Sequence, residues 1–101
     1  MKKDKIDLYV YSFYRFIDLK NIKLIKSKLD KFFFKKKLKG TILLSLEGIN
    51  ASIAGSVYDL EESIKFLKKI LKIKKLEIKK NTTKFIPFNK IKVRLKKEIV
   101  S

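Results

Sequence analysis

The stretch LLSLEGINASIAG, Leu43 to Gly55, does most to limit the folds open to this chain. Two apolar runs, Leu43 to Leu46 and Ile49 to Ile53, flank a Glu47-Gly48 step, and because glycine tolerates positive φ the segment reads as a β-hairpin. Asn-Gly or Asp-Gly is the usual choice for a plain two-residue turn, so Glu-Gly-Ile-Asn points either to a bulged turn or to a tip with a task. GSVYDLEESIKFLKKILK follows directly, with Val57, Leu60, Ile64, Leu67 and Leu71 at alternating spacings of three and four residues. That is the repeat of an amphipathic helix. Ser56 is placed to cap it, and Asp59, Glu61 and Glu62 crowd the first turns, where the helix dipole favours negative charge.

Upstream, Ile6 to Phe13 alternates, with Ile6, Leu8 and Val10 on one face and Tyr9, Tyr11 and Phe13 on the other, as a strand does. Asp18 then offers a helix N-cap, followed by Ile22, Ile25, Leu29 and Phe32 or Phe33 at helical spacing, a Lys35-Lys36-Lys37 cluster and Gly40 as a stop. Downstream, KKLEIKKN predicts a short strand with Leu76 and Ile78 on one face, and TTKFIPFN a loop with the only proline, Pro87. In IKVRLKKEIV, Ile91, Val93 and Leu95 alternate with Lys92, Arg94 and Lys96. The order is βαββαβ, with one further C-terminal strand possible. Its economical solution is an α+β, ferredoxin-like or acylphosphatase-like fold, two helices on one face of a four-stranded antiparallel sheet.

A chain of 101 residues, 46% of them hydrophobic, has material for one core, so residues 1–101 are expected to form a single domain. Without cysteine or histidine, disulfides, thiolate chemistry and the usual metal and histidine-base chemistry lose their residues. No metal or cofactor is expected in this domain. No run of about 18 apolar residues occurs, so a membrane partner is not expected and the cytoplasm is. The net charge of +17 favours polyanionic partners, yet only Arg15 and Arg94 are arginine, so contacts with nucleic acid should be mainly backbone electrostatics. The same lysine excess would arise from an AT-rich genome with no selection for binding.

Each functional pattern has a plain structural counterpart. An RNA-recognition sheet needs aromatics on its central strands, and TILLSLE has none. The aromatics that could stack, Tyr9, Tyr11, Phe13, Tyr14 and Phe16, surround Arg15 on and just after the first strand, where they could equally form an edge of the core. Acylphosphatase chemistry wants a glycine-rich anion cradle near Arg15 and an asparagine such as Asn50 to orient water, but SFYRFIDLKN contains no glycine. At the hairpin, Glu47, Gly48 and Asn50 either satisfy the turn or meet a ligand or another domain. On the last strand, Lys92, Arg94, Lys96 and Lys97 either track a phosphate backbone or form the wet face of an edge strand.

Three segments, SFYRFIDL, LEGINASIAG and IKVRLKKEIVS, together resemble the N-terminal domain of the rhodanese-related tRNA uridine hydroxylases, a bacterial family, in order and spacing. The resemblance spans about Leu8 to Ser101, with Glu47-Gly48-Ile49-Asn50-Ala51 its most specific run. It implies an acylphosphatase-like domain preceding a rhodanese domain, in a protein that converts the wobble uridine of certain tRNAs to 5-hydroxyuridine using dioxygen. The reactive cysteine of that family lies in the rhodanese domain, so this chain is expected not to be catalytic alone. The expected partners are tRNA and a C-terminal rhodanese domain, and the close at KEIVS directly after a strand suits a piece of a longer protein. Tyr14, Arg15, Phe16, Glu47, Gly48, Asn50, Lys92, Arg94 and Lys96 become candidates for an RNA-binding or interdomain surface. The rival expectations are an autonomous basic module holding RNA without sequence preference, and a domain whose task is to dock on the rhodanese half.

Overall fold

A computed structural model describes residues 8–84 and 90–98. In chain order the elements are β1 (Leu8–Phe16), α1 (Ile22–Phe34), β2 (Lys39–Ser45), β3 (Gly48–Ser56), α2 (Val57–Leu71), β4 (Lys79–Thr83) and β5 (Ile91–Leu95). They form one five-stranded sheet in the order β4-β1-β3-β2-β5. β1 pairs antiparallel with β3 and β4, and β2 with β3, as the ferredoxin-like arrangement requires. The four-stranded antiparallel expectation needs one amendment, because β5 adds a parallel edge beside β2 and makes the sheet mixed.

The alternation of β1 decides which face is the core. Tyr11 and Phe13 are buried, and they pair with Ile53 and Ala51 of β3, which are buried with them. Ile42 and Leu44 of β2 and Val93 of β5 continue this layer, and Leu29 and Phe33 of α1 with Leu60, Ile64, Leu67 and Leu71 of α2 close it from above. The rings of Phe32 and Phe66 stack at 4.0 Å between centroids and 8° between planes, joining the two helices. Each large apolar side chain buried this way contributes about 1.5–3 kcal/mol.

Four local expectations change for physical reasons. Asp18 does not cap α1: the Ile17 and Leu19 amides donate to the Glu47 and Leu46 carbonyls at 2.9 and 3.0 Å, so the chain stays tied to the hairpin past residue 18. The helix starts instead after Asn21, which takes the left-handed conformation that asparagine tolerates. Gly40 does not stop that helix but lies within β2 at φ 134°, where a Cβ would overlap the Ser52 carbonyl oxygen of β3. Leu76 and Ile78 precede β4 and pack against the core, whereas Thr82 and Thr83, expected in a loop, belong to the strand. Ile6 and the segment around Pro87 lie outside the described residues. The capping of α2 is as expected, with the Asp59 amide donating to Ser56 Oγ at 3.3 Å.

One polar link crosses the layers. The Tyr11 hydroxyl donates to Glu61 Oε2 at 2.5 Å, and Lys80 Nζ reaches the same oxygen at 3.3 Å, so β1, α2 and β4 meet at one carboxylate. Burial and then the Glu61 hydrogen bond push the Tyr11 hydroxyl up to about 12, while the Tyr11 hydrogen bond and Lys80 outweigh burial and hold Glu61 below its usual range. A depressed carboxylate stabilises the fold above its unfolded pKa and loses that contribution as pH falls through the folded value. Glu61→Gln should therefore be less stable than the parent at pH 7, by under about 1 kcal/mol at this half-exposed site. The gap should close on acidification below the carboxylate's ordinary value of 4.5, as thermal melts at stepped pH would show. Gly40→Ala, facing both the clash and the backbone conformation, should cost about 3 kcal/mol or more in urea unfolding.

Candidate functional site

The strand alternation that sends Tyr11 and Phe13 inward turns Ser12, Tyr14 and Phe16 to the face of the sheet opposite the helices. The register extends this face across the other strands. Tyr14 is opposite Asn50, Asn50 opposite Leu43, and Leu43 opposite Arg94, a row crossing β1, β3, β2 and β5. The neighbouring row runs Lys79, Ser12, Ser52, Thr41, Lys92 from one edge strand to the other. Four strand spacings separate those edge lysines, about 19 Å at the usual interval between strands. The face is thus polar along its middle, with hydroxyls from three strands, and cationic at both margins. Lys96 prolongs the basic margin just past β5, its amide donating to the Leu44 carbonyl at 2.7 Å.

Two aromatics stand out of this face. Tyr14 is 61% exposed and Phe16 57%, and their rings meet edge to face at 5.8 Å and 79°. The contact restrains both rings without covering them. Beside Tyr14 lies an open concavity of about 700 Å³ lined by Ser12, Tyr14, Asn50, Ser52, Glu77 and Lys79, among others. The Ser12 and Ser52 hydroxyls sit 3.3 Å apart in it.

Of the residues singled out from sequence, Tyr14, Phe16, Asn50, Lys92 and Arg94 therefore share one face, and Gly48 sits beside Phe16 in the register. Asn50 is not at the hairpin tip. The turn residues are Leu46 and Glu47, with the Glu47 amide donating to Ser45 Oγ at 3.0 Å, and Gly48 opens β3 at φ 149°. Glu47 is consequently at the end of the sheet, next to Leu46, which is 64% exposed. Arg15 points to the helix side, where it donates to the Lys75 carbonyl at 2.7 Å and ties β1 to the segment after α2. Sequence reasoning missed Ser12, Thr41, Ser52, Glu77 and Lys79. The parity of β1 could have nominated Ser12 with Tyr14, but the others are brought there by pairings between distant strands.

Among the described residues no group of acidic side chains is arranged to hold a metal ion, and no helix is long and apolar enough to cross a membrane. Comparison with known proteins places this geometry. Residues 8–99 match the family model described as the UPF0176 acylphosphatase-like domain. The chain belongs to this family. Its relatives include the tRNA uridine(34) hydroxylases of Pelagibacter ubique, 42% identical over 90% of this chain, and Prochlorococcus marinus, 39% identical over all of it. These alignments cover 31% and 34% of the two relatives, so the chain spans about a third of the length of the curated proteins it matches. In fold, this UPF0176 domain is similar to the BlrP1 BLUF structure, with a TM-score of 0.67 over 94% of the chain at 8% identity. It also matches part of full-length HypF, with a TM-score of 0.52 over 93% of the chain and 13% of that structure.

The division of β1 between two faces has a direct test. Phe13→Ala should cost about 3–5 kcal/mol, as loss of a buried aromatic does. Tyr14→Ala and Phe16→Ala should each change stability by no more than about 0.5 kcal/mol in the same denaturant titration.

Proposed function

We propose that this domain holds tRNA for a tRNA uridine(34) hydroxylase, with hydroxylation and any cofactor belonging to the rhodanese domain expected in the rest of the protein. The observation that carries the reading is the open sheet face. It sets exposed aromatics, a row of hydroxyls and an amide between cationic margins, the combination that single-stranded nucleic acid requires. Relatives named tRNA uridine(34) hydroxylase support tRNA as the nucleic acid held. One further point agrees: the net charge of +17 supplies long-range attraction to a polyanion. A protein acting on tRNA in a bacterium works in the cytoplasm, which is where we place it.

On this reading Lys92 and Arg94 neutralise phosphates from the β5 margin, and affinity falls steeply as salt displaces them. Replacing both by glutamine should weaken tRNA binding for every sequence tested and lower the slope of log affinity against log salt by roughly 1.5–2. Salt-titrated anisotropy measures this. Absence of tRNA binding at low salt, or a slope indifferent to the double substitution, would overturn the assignment of this face.

At the hairpin end a different contact is favoured. Leu46 is exposed and apolar, and the other turn residue, Glu47, accepts the Ile17 amide at its backbone carbonyl, a tip that suits a protein surface better than a phosphate chain. We assign that end to the remainder of the protein.

A further inference from the structure

The open face is not uniform. Between the margins lies the open concavity between β1, β3 and the segment entering β4. We propose that this hollow takes one unstacked nucleotide of single-stranded RNA, with its base against Tyr14 and its phosphate at Lys79, an inference that rests on the tRNA-holding reading above.

Size and lining support this occupant. About 700 Å³ lies within the range of small-ligand sites, here open to solvent on one side as a group tethered to a longer strand demands. Tyr14 supplies a π surface at the wall, and its edge-to-face contact with Phe16 keeps the ring from collapsing into the hollow. The adjacent Ser12 and Ser52 hydroxyls each donate and accept, so they can meet a base edge or a ribose 2′-hydroxyl. Lys79 and Glu77 are the charged residues of the lining, two positions apart on the segment entering β4. A phosphate is drawn to the lysine and repelled by the carboxylate, which can instead accept from a ribose hydroxyl or a base N–H. The nucleotide therefore has a preferred orientation.

The same geometry rejects duplex RNA. In a helix the base faces are stacked and the edges paired, so nothing can enter the hollow, and a duplex would meet only the lysines of the rim. A single strand can place one base beside Tyr14 and carry its neighbouring phosphates across the sheet towards Lys92 and Arg94, three strand intervals or about 14 Å from β1.

The test compares a fluorescent short oligouridylate with duplex RNA of matched phosphate number at physiological ionic strength. The parent chain, Tyr14→Ala and Ser12→Val are measured, with thermal melts confirming that each folds. The expected result is preference of the parent for the single strand, reduced about 5- to 100-fold by Tyr14→Ala, with duplex binding unchanged. Ser12→Val, which narrows the floor without touching a charge, should act in the same direction. Equal binding of single strand and duplex, insensitive to both substitutions, would overturn the hollow as a nucleotide site while leaving the lysine face as an RNA surface. Competition by uridine monophosphate that is lost in Tyr14→Ala would support the hollow as the nucleotide site. Binding of neither RNA, even at low salt, would overturn the tRNA-holding reading itself.

Discussion

The antiparallel pairing of β1 with β3 at the centre of the sheet is the constraint on which the rest depends. Because side chains alternate with a period of two, its register sends Tyr11 and Phe13 into the core with Ile53 and Ala51 and turns Ser12 and Tyr14 outward beside Ser52 and Asn50. A slip by one residue would exchange these sets, burying Tyr14 and Ser12 and exposing Phe13. The energetic penalty for that exchange is several buried side chains at once, so the core specifies the open face as firmly as it specifies itself. The candidate site is in this sense the reverse side of the hydrophobic core.

Support for that central pair comes from both directions. β2 continues β3 through the hairpin, and Gly40 lets the two backbones approach where a side chain would strike Ser52. β4 flanks β1 on the other side, held by Lys80 at the carboxylate that also receives the Tyr11 hydroxyl. Helix α2 presents that carboxylate from the same turns whose acidic residues favour its N-terminus. Packing, polar pairing and helix electrostatics thus agree, the consistency expected of a sequence that specifies a single structure.

A sheet covered by helices on one side leaves its other side to solvent or to a partner. In this domain that side is unusually provided: cations at both margins, hydroxyls in the middle, and two aromatics restrained by each other. The proposed tRNA-holding role would use such a surface, and the proposed contact with the rest of the protein would use a second one at the hairpin end. On that proposal the two demands fall on different parts of the molecule, with charge along the edges of the sheet and an exposed apolar residue, Leu46, at the hairpin end.

Much of the fold was legible in the residues alone. The spacing of Leu60, Ile64, Leu67 and Leu71 dictates α2, Ser56 marks its start, and the alternation of Ile91, Val93 and Leu95 with lysine and arginine dictates β5, because local periodicity follows from backbone geometry. Boundaries set by distant contacts were not legible. The start of α1 depends on amide bonds to the hairpin, the placement of Gly40 on its approach to β3, and the limits of β4 on pairing with β1. The candidate surface divides in the same way. Sequence singled out Tyr14, Phe16, Asn50, Lys92 and Arg94 by type and by the motifs they stand in, but only tertiary structure decided that they share a face, that Arg15 does not, and that Ser12, Ser52 and Lys79 join them. The physical reason is that a residue's chemistry is local, whereas its neighbours across a sheet are chosen by strand order and register, which no single segment of the chain contains.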